Sequence, residues 1–439
     1  MSIVRQQAHK IIFSVLKKNV FSNKMLLQAK TRLRKQNEDT NLLYTLVKGT
    51  IKLWKHLDYV AKQYADPKKF ENTDLKIKIL LYLGLYQMMY CNSIPDHAAI
   101  NETVELAKTL YNDKVGKFVN AILRAHQRNP EIKYPENTIQ RLAFQYSFEE
   151  DMIKTLIDIY GEEETEYACL YFNDIPKLKV RVNLMATDPV KFLAYFKRRD
   201  TEFLRSEASD NFLVTSSGES ALLDVSFQEG YFSIQDPAAG LVVELMEPLL
   251  DMSIVDMFAA PGSKACYIAE ILQGTGEVIA IDKIPNKCKL IKQNSERLQL
   301  RNIKVVAEDA FKYAPIAPAY DKVLLDVPCS GWGVMQKKAE LRWQRNQDIN
   351  QLLKLQEQAL KRGAMFVCPG GDLIYSTCTL NPAENEKQVK KFLKLNPDFS
   401  LVRAENIISK EYTDSGFLKT TPWKHNIDGA FAARMRRKI

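Results

Sequence analysis

The chain lacks the signals that would send it out of a cell or into a membrane. Its seven cysteines are odd in number and form no C-x-x-C pair. That excludes a disulfide framework and a zinc ribbon, and it points to reduced thiols in a cytoplasm with no bound metal. Its longest apolar run, Ile79 to Tyr90, is too short to span a bilayer and reads as a core helix. The first residues, Met1-Ser2-Ile3-Val4-Arg5-Gln6, have no apolar stretch of signal-peptide length. No acid occurs between Arg5 and Lys35, a stretch that carries nine basic residues.

What is present is a long soluble chain of 439 residues, 46% hydrophobic and 26% charged, too long for one ordinary core. Two or three domains are expected. The net charge of +9 is uneven: residues 1–134 hold 23 Lys/Arg against 11 Asp/Glu, and the remainder 39 against 42. The basic excess at the start, with Lys30, Arg32, Arg34 and Lys35 at its densest point, reads as a phosphate-facing surface. The plain alternative is a solvated helix face.

Up to about residue 130 the pattern is helical only. Ala8, Ile11, Ile12, Val15 and Leu16 fall at helical spacing, as do Leu42, Leu43, Leu46, Val47 and Ile51. Ile94-Pro95-Asp96-His97 breaks the run, with Asp96 fit to cap a helix from Ala98 to Leu110. A further helix runs from about Lys117 to His126. No strand pattern appears, so a helical bundle with a basic face is predicted. After helices in 138–169, Leu178 to Asn183 alternates like a strand, Asp188-Pro189 opens a helix, and short strands follow. This is a small α+β module, and Arg181 and Asn183 on its first strand are candidates to contact the same ligand.

From about Ala238 strands and helices alternate, which predicts an open parallel sheet with helices on both faces. The strands are Ile254–Phe258, Val278–Ile281, Ile303–Ala307, Val323–Leu325 and Asp372–Tyr375. Two of them break at a cysteine: Asp326-Val327-Pro328-Cys329-Ser330-Gly331 and Tyr375-Ser376-Thr377-Cys378-Thr379. Two strand ends of one sheet can face one pocket. Either cysteine alone is more simply a small buried hydrophobe. The turn after the first strand, Phe258-Ala259-Ala260-Pro261-Gly262-Ser263-Lys264, has small residues where a helix N-terminus favours an anion. It has neither G-x-G-x-x-G nor G-x-x-x-x-G-K-[ST], which disfavours a dinucleotide or nucleoside triphosphate. Asp282, ending the second strand, is placed for a ribose, and Asp309, after the third, for an adenine amino group. An amino-acid carboxylate, a ribose and an adenine together describe S-adenosylmethionine.

These stretches carry a resemblance. Ile94 to Glu102 and Phe118-Val119-Asn120-Ala121-Ile122-Leu123-Arg124 look like the NusB-type RNA-binding helical domain. Asp256 to Lys264, Asp326 to Gly331, Tyr375 to Glu386 and Asp428 to Arg434 look like the RNA (cytosine-5)-methyltransferase family. The whole chain resembles its Sun, or RsmB, type, which modifies small-subunit ribosomal RNA. The family usually reads Cys-Ala-Ala-Pro-Gly-Gly-Lys-Thr where this chain has Phe258 to Ala265. The resemblance implies a NusB-like domain over 1–135, a linking and RNA-contacting module over 136–235, and a Rossmann-like S-adenosylmethionine-dependent domain over 236–439.

It also implies a covalent mechanism. Carbon 5 of cytosine is a poor nucleophile until a thiolate adds at carbon 6. The family's attacking cysteine falls on Cys378, and the one that aids product release on Cys329, a thiol expected to titrate near neutral as a base. Asp326, if protonated, would donate to cytosine N3, or it would hold the cofactor's amino group. Lys264 would favour the Cys378 thiolate and touch the substrate. The base must be unpaired or flipped out. A monomer acting on ribosomal RNA in the cytoplasm is the expectation. The alternatives are a transfer-RNA cytosine-C5 methyltransferase and a non-catalytic NusB-like RNA binder.

Overall fold

The computed structural model describes residues 2–439 apart from Asn19, Asn37, Asp200, 315–319 and 344–347, and apart from the side chains of Lys24 and Glu219. The chain folds into two compact units, Met1–Asp174 with Met335–Arg345, and Ile175–Val334 with Asn346–Ile439.

The first unit is built on helices. Ile3–Lys18 buries Val4, Ala8, Ile11, Ile12 and Val15, the apolar face its spacing predicts. Leu75–Tyr90 is buried at every position from Ile79 to Gln87, which suits a helix apolar on all sides. Asp96–Leu110 starts two residues earlier than the expected Ala98: Pro95 takes the N-cap, and Asp96 sits in the first turn, where its charge suits the helix dipole. Asp113–Arg128 follows, capped by Asn112 through Val115 N.

The helices Thr138–Tyr146, Glu150–Tyr160 and Glu162–Asn173 also belong to this unit, although the sequence reading groups them with the module that follows. The reason is local packing. Ser147 Oγ accepts the backbone N–H of Lys55 at 2.9 Å, and Phe144 O bonds the His56 ring at 3.1 Å.

A piece of chain from far along the sequence completes this unit. The short turn Ala339–Trp343 buries Ala339 in the helical core. Trp343 Nε1 donates to Ile51 O at 2.6 Å. Arg342, 3% exposed, donates to Lys52 O, Ser147 O, Phe172 O and Asn173 Oδ1, and lies 3.8 Å from the centre of the Phe148 ring. Glu340 accepts from Ser22 N and Oγ, both at 2.9 Å, at the start of the helix Ser22–Arg34.

The second unit holds two sheets. In the smaller, strands β1 (Leu178–Val182), β2 (Leu204–Arg205), β3 (Phe212–Thr215) and β4 (Phe232–Ile234) are ordered β2-β3-β1-β4 and antiparallel. Val180 and Val182 face a cluster containing Phe192, Phe196, Phe203 and Phe232.

The larger sheet contains β5 (Ser253–Asp256), β6 (Glu277–Asp282), β7 (Ile303–Ala307), β8 (Tyr320–Asp326), β9 (Val367–Thr377), β10 (Phe399–Val402), β11 (Thr413–Asp414), β12 (Phe417–Lys419) and β13 (Phe431–Arg437). Its order is β11-β12-β13-β9-β8-β5-β6-β7, with β10 beside β13. The five strands from β7 to β9 are parallel, as their apolar runs predict, and β13 pairs antiparallel with β9. The chain runs outward from β5 to β7, then crosses back to β8 and β9. The switch point therefore lies at β5 and β8, where open α/β sheets form their clefts.

Candidate active site

The carboxyl ends of β6, β5, β8 and β9 lie side by side, and each opens into a loop that carries a site residue. β5 ends at Asp256 and continues into Phe258–Lys264. Gly262 has φ +100°, and an added Cβ there would lie 3.1 Å from the Ile291 backbone, so this turn requires glycine. The helix Ser263–Ile271 then starts without a side-chain cap, which leaves its first N–H groups to an anion. The turn is braced by Ala259 N on Ile281 O at 2.9 Å and by Asn294 Nδ2 on Pro261 O at 3.1 Å.

Asp282 and Asp309 end neighbouring segments, since Asp282 pairs with Ala307 across β6 and β7. Both are half-buried. Asp282 Oδ1 accepts from Ile284 N at 2.9 Å, and Asp309 Oδ1 accepts from Phe311 N at 3.0 Å. Each therefore has one oxygen fixed by its own loop, which orients the carboxylate.

Asp326 closes β8. Its Oδ2 accepts from Lys264 Nζ at 2.6 Å, and its Oδ1 from Ser376 Oγ at 2.8 Å, the residue opposite it in the β8–β9 register. Both oxygens act as acceptors, so donation from Asp326 to a base is not the arrangement the structure presents. Burial opposes the charge on Lys264, but Asp326, Asp256 and Cys378 outweigh it, so its ammonium form is favoured. Asp256, 1% exposed, has its carboxyl pushed up to about 7, first by burial and then by the negative charge of Asp326, with Lys264 opposing.

The two cysteines meet. Cys329 Sγ and Cys378 Sγ lie 3.3 Å apart, both half-buried, and Cys378 N donates to Cys329 Sγ at 3.3 Å. The Cys329 thiol is held well above its usual range by its hydrogen bond with Cys378, by burial and by nearby negative charge. A thiol titrating near neutral, as the sequence reading expects, is not what this pocket makes of Cys329. The loops around the pair are pinned: Gly333 N donates to Cys378 O at 3.0 Å, and Gly429 N donates to Gly333 O at 2.9 Å. A Cβ on Gly333 would lie 2.2 Å from Gly429 O, which explains why both backbones meet at glycine.

Lys30, Arg32, Arg34 and Lys35 lie at the end of the helix Ser22–Arg34, with Arg32, Arg34 and Lys35 exposed. Arg181 and Asn183 are different. Arg181 is fully buried and pairs with Glu270 through two hydrogen bonds, of 3.1 and 2.5 Å, while also donating to Gln235 and to Ser263 O. Asn183, 1% exposed, donates to Gly230 O and Leu298 O. Neither can reach a nucleic acid. Both faces of β1 are covered, so its polar residues find partners inside, with Lys179 paired to Asp236 in the same way.

The residues missed from sequence are Ser376, Asp256, Glu384 and Gln356. The first three stood inside stretches already singled out. Gln356, which donates to Pro328 O beside Cys329, gave no signal because it lies on the separate helix Ile349–Ala364. Among the described residues, no group of His, Cys, Asp and Glu is placed to hold a metal, and no helix is long and apolar enough to cross a membrane.

Two family models match: 16S rRNA methyltransferase RsmB/F over residues 243–436 and the NusB family over 2–128. The "Probable ribosomal RNA small subunit methyltransferase B" of Bacillus subtilis (strain 168) is 33% identical over 445 residues, covering 99% of each chain. The ribosomal RNA small subunit methyltransferase B of Shewanella oneidensis is 31% identical over 437 residues, covering 98% of each. The crystal structure of PH0851 covers 100% of both chains with a TM-score of 0.82 at 24% identity, a likeness of fold. Full-length identity above 30%, with a helical start and a strand-end cysteine pair, places this chain in the RsmB, or Sun, family of ribosomal RNA small subunit methyltransferases.

Proposed function

We propose that this chain transfers a methyl group from S-adenosylmethionine to carbon 5 of a cytosine in small-subunit ribosomal RNA, in the cytoplasm. The observation that carries the reading is the thiol pair, 3.3 Å apart at adjacent parallel strand ends, beside the Lys264–Asp326 pair.

S-adenosylmethionine supplies the electrophilic methyl group. The residues present suit it: the uncapped helix at Ser263 for its carboxylate, with Phe258 to Lys264 as the wall, Asp282 for the ribose, and Asp309 or Asp326 as acceptor for an amino group. On the substrate side Cys378 attacks carbon 6, which makes carbon 5 nucleophilic. Lys264, favoured as an ammonium, donates toward the negative charge that develops on the ring. After transfer a solvent base takes the carbon-5 proton, that electron pair re-forms the 5,6 double bond, and the carbon 6–sulfur bond breaks with Cys378 leaving as thiolate. Cys329, kept as a thiol 3.3 Å away, assists that release by hydrogen-bonding to the departing sulfur. The basic helix end at Lys30, Arg32, Arg34 and Lys35 supplies phosphate contacts.

Separating the two cysteines tests this. Cys378→Ser should abolish methylation and form no covalent RNA adduct, because a serine hydroxyl is far less nucleophilic than a thiolate. Cys329→Ser should still attack and transfer, then stall, leaving a protein–RNA complex that survives denaturing electrophoresis and requires S-adenosylmethionine. The double variant should trap nothing. Trapping by Cys378→Ser alone would reverse the roles, and parental activity in both single variants would return the pair to buried packing.

A further inference from the structure

Glu384 lies in the stretch after Cys378 and is fully buried. Its Oε2 accepts from Ser330 N at 2.9 Å and from Gln356 Nε2 at 3.0 Å, and its Oε1 accepts from Ser330 Oγ at 2.5 Å. All three of these donors are neutral. Ser330 is the residue after Cys329, and its Oγ also meets Thr379 Oγ1, the residue after Cys378, at 2.7 Å. One buried acid thus holds the loop of one thiol and, through a shared hydroxyl, touches the loop of the other. Gln356 Nε2 bridges the same acid to Pro328 O, on the other side of Cys329, at 3.0 Å.

The charges around the pair are not symmetric. Cys329 faces Cys378, Glu384 behind Ser330, and Tyr375, whose hydroxyl donates to Glu384 O at 2.6 Å. From the helix that carries Gln356 a neutral amide reaches Pro328 O, beside Cys329, and the Gly333–Gly429 contact is backbone to backbone. Cys378 instead shares its surroundings with Lys264, whose ammonium it favours. An anion is disfavoured next to Glu384 and favoured next to Lys264.

We infer that Glu384 is a positioning residue: it fixes Cys329 through Ser330, and its negative charge keeps the thiolate of the pair on Cys378. The fold itself then divides two chemically equal thiols into an attacking one and a releasing one. This inference rests on the reading that Cys378 attacks and Cys329 releases.

The test uses the full-length chain and two readouts. The first is alkylation of each cysteine by iodoacetamide across pH, followed by peptide mass spectrometry. The second is methyl transfer and adduct formation on unmethylated small-subunit ribosomal RNA. In Glu384→Gln the midpoint for Cys329 alkylation should move down by about one pH unit or more, because a buried like charge has gone. Turnover should fall about tenfold or more with RNA affinity held within about twofold, as a covalent adduct accumulates. An unmoved Cys329 midpoint in a variant that melts like the parent would overturn the inference. Should Glu384→Gln fail to fold, Ser330→Ala decides: it keeps the acid and cuts the hydroxyl link. That variant should leave the Cys329 midpoint in place and slow adduct release, and release at the parental rate would overturn positioning. Alkylation needs no RNA. A chain that methylated no cytosine would sink the functional reading, and the alkylation profile would still judge Glu384.

Discussion

Burying Asp256 costs the folded chain whenever that carboxyl ionises. Its folded value of about 7 stands above the ordinary 3.8, so the cost is absent well below pH 4, grows as pH rises, and is full above pH 7. Asp256→Asn keeps an acceptor for Phe258 N and removes the charge. Urea unfolding at pH 5 and pH 8 should show its stability gain over the parent to be roughly 2–3 kcal/mol larger at pH 8. Equal gains at both values would mean that Asp256 is not the buried acid described here. Asp282→Ala, by contrast, should cost stability only through its loop hydrogen bond from Ile284 N, about 0.5–2 kcal/mol with no dependence on pH between 5 and 8. It should weaken S-adenosylmethionine by about 1–3 kcal/mol in calorimetry, and unchanged affinity would remove the ribose assignment. Single residues were legible in the sequence where local pattern defined them. Cys329 and Cys378 break apolar strands, and Gly262 sits at a strand-to-helix turn. Arg181 was misread because alternation shows that a strand has two faces and not what covers each; its partner Glu270 is 89 residues away.

At the scale of elements, the basic end of the helix Ser22–Arg34 has a clear expected signature. Reversing Lys30, Arg32, Arg34 and Lys35 to Glu should weaken RNA binding and flatten the slope of log K against log salt, because fewer counterions are released. A filter-binding series between low and moderate salt would measure it, and an unchanged slope would return these residues to a solvated helix face. The parallel strands were legible because each is a short apolar run closed by an acid or a cysteine. The antiparallel pairing of β13 with β9 was not, since direction depends on the path of the chain and not on the strand's own residues. The three helices between 138 and 173 carry ordinary amphipathic patterns, which do not say which core they cover.

At the scale of the molecule, the helical unit is not a continuous stretch of sequence. Ala339 sits in its core, Arg342 is buried beside it and Trp343 packs against it, although all three follow Cys329 in the chain. Removing the Arg342 side chain would leave the carbonyls of Lys52, Ser147 and Phe172 short of a donor in a buried place. Arg342→Ala should therefore lower the unfolding free energy of this unit by about 2–5 kcal/mol. A fragment of residues 1–174 should likewise melt below the same unit in the full chain, and a peptide of residues 334–345 added in trans should raise its midpoint. A fragment indifferent to the peptide would show that the insertion adds nothing. Nothing near Met335 announces this role in the sequence, because the helices it completes lie some 170 to 318 residues upstream.

The chain passes between the two units at residues 174–175 and 334–335, and returns to the second after the segment that carries Arg342 and Trp343. A protease that cuts once between Asp174 and Ile175 would therefore release nothing under native conditions. The nicked halves would stay together through the threaded segment, migrate as one band on a native gel, and part only in detergent.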